Sequence, residues 1–192
     1  LSVGPKAAAF AMFLRILMTT FVPLRERWEP VLWVVALATM VIGNFAALWQ
    51  TNVKRLLAYS SIAHAGYILV ALTAMSDTGA AAAMFYLAAY AFMNIGAFAV
   101  VTFVAGRGEK HVELMDLAGL SRRSPAMAAV LSIFLLSLTG VPLTAGFFGK
   151  FYIFKAALDA DLVWLAVLGL LNSAVAAYYY LRIIVMMYMH EP

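Results

Sequence analysis

The sequence contains no cysteine in its 192 residues. Disulfides, iron–sulfur clusters and thiolate metal sites are therefore excluded within the chain. Charge is also scarce: 11% of residues are charged, and nine are acidic. All nine acids fall in predicted loops or at the ends of apolar segments. No acid is left at membrane depth to supply the oxygen ligands that hard cations such as sodium prefer. There is no phosphate-binding loop, catalytic triad or metal-ligand spacing. The run HVELMD, residues 111 to 116, gathers His, Glu and Asp. It reads more simply as a solvated loop. A signal-peptide pattern is missing as well.

What is present is apolar. Hydrophobic residues make up 66% of the chain, and the mean hydropathy is +0.95. A soluble domain is roughly half apolar, so this is an integral membrane protein. The net charge of +4 does not suggest nucleic acid, because excess Lys and Arg in a membrane protein mainly report loop orientation. The chain starts with Leu1, and Lys6 borders an apolar run with little before it. We expect an internal or C-terminal piece of a longer polypeptide, whose site can be split between this piece and the rest.

A helical span needs about 20 mostly apolar residues. Six segments, A to F, qualify. They lie at about 2–22, 30–50, 55–74, 79–105, 125–158 and 162–189. The expected fold is an all-α, polytopic transmembrane helix bundle with about six spans. Segment E is too long, because 34 helical residues would extend roughly 50 Å against a hydrocarbon core of about 30 Å. It also holds GVPLTAGFFGKFYIF, residues 140 to 154, with three glycines and a proline. A break near Gly140–Gly146 resolves the length and predicts two half-helices. Irregular backbone at that depth is tolerated only where protein buries it or it lines a wet cavity, as in ion-handling transporters.

The loop charges set an orientation. B–C carries Lys54 and Arg55. D–E carries Arg107, Lys110, Arg122 and Arg123 against Glu109, Glu113 and Asp116, and Arg182 lies near the end of F. Opposite, Arg25 and Arg27 are balanced by Glu26 and Glu29, C–D has Asp77, and E–F has Asp159 and Asp161 near Lys155. The positive-inside rule places B–C, D–E and the C-terminus in the cytoplasm.

Lys150 is the strongest candidate for chemistry. It lies inside E beside the break, between FFG and FYIF. A snorkelling interfacial lysine would show nearby charges, and none occurs before Lys155. An intramembrane ionisable residue is a functional hypothesis by default, and burying an ammonium disfavours its charge, which suits proton exchange. Lys6 is either an interfacial flank or a second such site. Arg15 reads as structural. In segment C, Ser60 and His64 share a face, with Tyr67 one turn on. A histidine there can exchange a proton, although hydrogen bonding to a neighbouring helix explains it as simply. Ser60 and Ser61 can hold water or join helices. Asn44, Asn94 and Asn172 read as interhelical hydrogen-bonding residues. Tyr178–Tyr180 suits packing or an interfacial belt.

Three stretches carry a resemblance. They are NVKRLLAYSSIAHAGYILVAL, GVPLTAGFFGKFYIFKAAL and AYYYLRIIVMMYM. Together they resemble the antiporter-like membrane subunits of bacterial NADH:quinone oxidoreductase (respiratory complex I), and among these the N type. Mrp-type cation/proton antiporters are related. The resemblance implies a fourteen-helix fold with two five-helix inverted repeats, of which this chain looks like helices 8 to 13. Residues 1–24 would be the last helix of the first repeat and 30–189 the second repeat. It implies proton translocation along a central line of buried ionisable residues, with Lys6 matching the helix 8 lysine and Lys150 the lysine of broken helix 12. His64 lies in a recurring motif, and with Ser60 it is a possible part of the path. The family's helix 5 glutamate and helix 7 lysine have no counterpart in this sequence.

The resemblance further implies a subunit of a translocase with no redox chemistry and no cofactor of its own. NADH, FMN, iron–sulfur clusters and quinone would be bound by other subunits. The partners would be other membrane subunits, the lipid bilayer and protons, in the bacterial inner membrane. The alternative is an Mrp-type or stand-alone cation/proton antiporter. A purely structural membrane subunit is a third reading, which Lys150 beside a break argues against.

Overall fold

The computed structural model describes residues 4–106 and 112–191. Arg107, Glu109 and Lys110 of the D–E loop, and His111 of HVELMD, lie outside the described residues. Eight α-helices follow in chain order: α1 Gly4–Thr19, α2 Arg25–Leu48, α3 Val53–Thr73, α4 Asp77–Ala105, α5 Leu120–Arg123, α6 Pro125–Thr139, α7 Ala145–Asp159 and α8 Val163–Met189. There is no strand among the described residues, only an isolated bridge between Asn52 and Glu113. Helix is what an apolar chain must form in hydrocarbon, where backbone groups find no water and must bond within the segment.

Four helices are long and apolar enough to cross a membrane, namely those ending at Leu48, Thr73, Ala105 and Met189. α6 and α7 have 15 residues each, or roughly 22 Å apiece, so neither reaches across alone. They are the two halves of segment E. The interruption is shorter than Gly140–Gly146, because helix resumes at Ala145 and places Gly146 inside α7. α2 starts five residues before segment B, so Arg25, Glu26, Arg27 and Glu29 stand on its first turns rather than in a loop. There Arg25 Nε pairs with Glu29 Oε2 at 3.0 Å. Arg182 lies within α8, about two turns before its end.

Polar side chains start the helices where the loops turn. Asn52 accepts a hydrogen bond from Arg55 N–H, and Ser76 from Gly79 N–H. Such caps contribute about 1 kcal/mol each. The loop before α5 is packed rather than freely solvated. Val53 N–H donates to Val112 O and Leu114 N–H to Thr51 O, both at 2.8 Å. Leu114 and Leu117 are buried, and Asp116 caps the backbone of Glu113.

α3 is the central element. Of its 21 residues 15 are buried, and it packs against α2, α4, α7 and α8. α2 comes close because Gly43 lies on the backbone of Ala63, the small-residue contact by which membrane helices approach. Ser60, Ser61, His64 and Tyr67 of α3 are all buried as a result.

Two of the three asparagines join helices as expected. Asn44 Nδ2 donates to Asn172 O at 2.9 Å and to Asn172 Oδ1 at 3.2 Å, tying α2 to α8. Tyr179 Oη donates to Asn44 Oδ1 at 2.9 Å. Asn94 departs from this, since its buried Nδ2 has no hydrogen-bond partner. Asn44→Leu should leave the Tyr179 hydroxyl and Asn172 Oδ1 without their partner, while Asn172 Nδ2 keeps Leu168 O, at a cost of about 2–3 kcal/mol. The expected readout is a lower midpoint of denaturation in detergent. An unchanged midpoint would mean the pairing contributes nothing net.

Candidate functional site

The interruption between α6 and α7 is built from its backbone upward. Gly140 adopts φ +93°, a left-handed conformation that glycine tolerates and other residues avoid. Its N–H donates to Ser137 O at 3.1 Å, and Val141 N–H donates to Leu136 O at 3.1 Å. This paired closure ends α6 in the Schellman manner. It satisfies two of the last carbonyls and leaves those of Leu138 and Thr139 pointing onward. The helix dipole is negative at this end.

Lys150 fills that end. It lies one turn into α7 and is 5% exposed. Its Nζ donates to Leu138 O at 3.1 Å, Thr139 O at 2.9 Å and Ser173 Oγ of α8 at 2.8 Å. The Tyr67 ring of α3 lies beneath it, with the centroid 5.0 Å from Nζ. A lone ammonium in hydrocarbon costs several kcal/mol. Here two carbonyls, a hydroxyl and an aromatic face offset that cost. A cavity of about 540 Å³ runs from Lys150 and Ser173 along Phe151, Phe154 and Leu158.

His64 occupies the middle. Its Nδ1 hydrogen-bonds Tyr86 Oη at 2.5 Å, and its Nε2 hydrogen-bonds Tyr180 Oη at 2.9 Å. The Tyr90 ring stacks on the imidazole at 4.9 Å. A neutral imidazole has one N–H and one acceptor nitrogen, so one phenol accepts from it while the other donates to it. His64 lies within electrostatic reach of both Lys150 and Lys6.

Lys6 lies at the far end. Its Nζ donates to Ser61 Oγ at 2.5 Å and to Ser61 O at 3.3 Å, tying α1 to α3. A cavity of about 10 Å³ bounded by Lys6, Ser61 and Tyr90 adjoins it, about the volume one water needs. The hydroxyl that meets Lys6 is thus that of Ser61. Ser60, the other serine of the pair, turns back to donate to Leu57 O at 2.8 Å.

The structure therefore brings Lys6, Ser61, His64 and Lys150 into one polar row, buried from Ser61 to Lys150 and ending on the partly buried Lys6. It adds Tyr86, Tyr90 and Ser173, which the sequence reading did not single out, and Tyr180, which it read only as packing or an interfacial belt. Tyr179 and Tyr180 are fully buried, and only Tyr178, 63% exposed, has a belt-like position. Tyr86 and Tyr90, four residues apart in an alanine-rich span, were the available signal. Glu113 and Asp116 lie in the loop before α5, away from this row.

The family profile described as "NADH:quinone oxidoreductase/Mrp antiporter, TM" matches residues 1–176. The chain belongs to this family. Among its relatives, NADH-quinone oxidoreductase subunit N 1 of Solibacter usitatus is 69% identical over the whole chain, which spans 40% of that protein. Subunit N of Trichlorobacter lovleyi is 52% identical over 98% of this chain and 39% of its own length. The chain thus spans about two fifths of the curated relatives it matches. Two solved structures share its fold. The Mrp complex from Dietzia sp. DQ12-45-1b superposes with a TM-score of 0.89 at 27% identity, over 97% of this chain and 34% of that one. Respiratory complex I from Thermus thermophilus with bound aureothin gives 0.74 at 38% identity, over 85% and 37%. Both branches of this family share the fold, and of these two structures the complex I chain is the more identical in sequence.

Proposed function

We propose that this chain serves as a proton-translocating, antiporter-like membrane subunit of an NADH:quinone oxidoreductase. The observation that carries the reading is Lys150, a buried amine held by the open carbonyls of a broken helix. A structural lysine has no need of a helix break to receive it. Lys6 and Lys150 are the two titrating ends, and His64 with its tyrosines lies between them. Two ammonium groups repel in low dielectric, so a proton on Lys6 disfavours one on Lys150 and pushes it onward. The names of the relatives support the quinone-oxidoreductase assignment.

Several finer statements belong to the same proposal. Residues 30–189 form one five-helix repeat, and 1–24 the last helix of the preceding one. The protein sits in a bacterial inner membrane, with the α2–α3 loop, the α4–α5 loop and the C-terminus on the cytoplasmic side. NADH, FMN, iron–sulfur clusters and quinone are held by other subunits, and the partners of this chain are other membrane subunits and the lipid bilayer. The Mrp-type alternative would carry sodium. Among the described residues the acids lie at helix ends or in loops, which favours protons over a hard cation.

Affinity purification of the full-length gene product tests the reading. The expected result is co-purification with other membrane subunits and NADH:quinone reductase activity that acidifies one side of a vesicle. Sodium–proton exchange by the isolated protein, with no reductase attached, would overturn it.

A further inference from the structure

Three buried polar atoms lack a hydrogen-bond partner among the described residues, Tyr67 Oη, Tyr90 Oη and Asn94 Nδ2, and of these Tyr67 lies against Lys150. Tyr67 is completely buried on α3, one turn after His64. Its ring meets His64 edge-on at 5.7 Å and Phe154 at 6.1 Å, with Lys150 over its face. Its hydroxyl is buried and no protein group hydrogen-bonds it. The side chains of Asn44 and Ser173 lie close by, but neither reaches hydrogen-bonding geometry. An unbonded buried hydroxyl costs about 1–3 kcal/mol, and native proteins satisfy such groups with ordered water that makes two to four bonds.

The two neighbours belong to different strings. Ser173 Oγ accepts from Lys150 Nζ. Asn44 Oδ1 accepts from Tyr179 Oη, and the adjacent Tyr180 Oη bonds His64 Nε2. The rings of Tyr179 and Tyr180 are 4.6 Å apart. His64 thus leads through Tyr180 and the Tyr179 packed against it to Asn44, Lys150 leads to Ser173, and the Tyr67 hydroxyl lies near both Asn44 and Ser173.

We propose that the Tyr67 hydroxyl and one buried water, anchored by Asn44 and Ser173, join these strings and make Tyr67 the relay that delivers protons to Lys150. The inference rests on the translocation role proposed for Lys150. A phenol both donates and accepts. The water takes up one proton from the His64 side as it gives one to the phenol oxygen, the phenol's own proton passes to Ser173 Oγ, and the Ser173 hydroxyl gives its hydrogen to the neutral Lys150 amine. One proton arrives and one leaves, so no phenolate remains. The ring has a separate task, because its face supports the charged form of Lys150.

Tyr67→Phe separates the tasks, since it keeps the ring and removes the hydroxyl. In the complete enzyme, proton translocation driven by NADH should fall about tenfold, the factor one lost hydrogen bond to the moving proton is worth. Subunit level and thermal midpoint should stay at wild-type values, and the solvent deuterium isotope effect should rise, which a packing role would not cause. Wild-type translocation in Tyr67→Phe overturns the proposal when Lys150→Ala, tested alongside, has lost it. Retained translocation in Lys150→Ala overturns the underlying reading instead. Should Tyr67→Phe not assemble, a high-resolution structure of the wild-type enzyme decides. A water within hydrogen-bonding distance of Tyr67 Oη supports the relay, and a dry site overturns it.

Discussion

Lys150→Ala is expected to stop NADH-driven proton translocation through this subunit, by about a hundredfold or more, the scale on which a positioned proton-transfer group acts. The subunit should still assemble, because the truncation removes the buried amine together with the cost of burying it, which offsets the hydrogen bonds lost. The informative companion is Lys150→Arg. A guanidinium can satisfy the Leu138 and Thr139 carbonyls but does not give up its proton in a protein. Translocation should be lost in this variant too, with the protein as stable as wild type. A pH-sensitive dye in inverted membrane vesicles reads both variants. Translocation retained in Lys150→Arg would reduce the residue to a fixed charge.

Gly146→Leu should abolish assembly altogether. A side chain here would be driven into the carbonyl of Ser137. That atom is backbone at the end of α6, so it cannot swing aside as a side-chain tip can. α6 and α7 would have to separate, taking the Leu138 and Thr139 carbonyls away from Lys150. Overpacking of a side chain against side chains typically costs about 1–3 kcal/mol, and a collision with backbone costs more. Little or no subunit is expected in membranes on immunoblotting. Gly4→Ala is the matched control, since nothing lies within 4 Å of a side chain there, and its level should equal wild type. Normal accumulation of Gly146→Leu would show that the two half-helices can shift as separate bodies.

The spans were legible because hydrocarbon demands long apolar helices, and the break because 34 residues are too many for one of them. Lys150 was legible for the same reason, as a charge without charged neighbours. Its partners were not. Leu138 and Thr139 act through carbonyls that every residue possesses, so side-chain identity at these positions carries no signal. Tyr86 escaped, and Tyr180 was legible only as packing or belt, because a span that is apolar on every side has no polar face to mark the interior. A buried phenol and one at the lipid interface then look alike in sequence. Gly146 was counted into the break because glycine disfavours helix. In the fold it serves close approach inside a helix.

The three bonds of Lys150 have an uneven fate when its proton leaves. A charged amine offers three hydrogens and no lone pair, and a neutral one offers two hydrogens and one lone pair. The carbonyls of Leu138 and Thr139 can only accept, whatever the lysine does. Ser173 Oγ can rotate its own hydrogen towards the amine and turn from acceptor into donor. Loss of one proton therefore reverses the sense of a single bond while both bonds to the backbone persist. A serine hydroxyl on α8, unremarkable by type and position, becomes the reporter of whether Lys150 is charged.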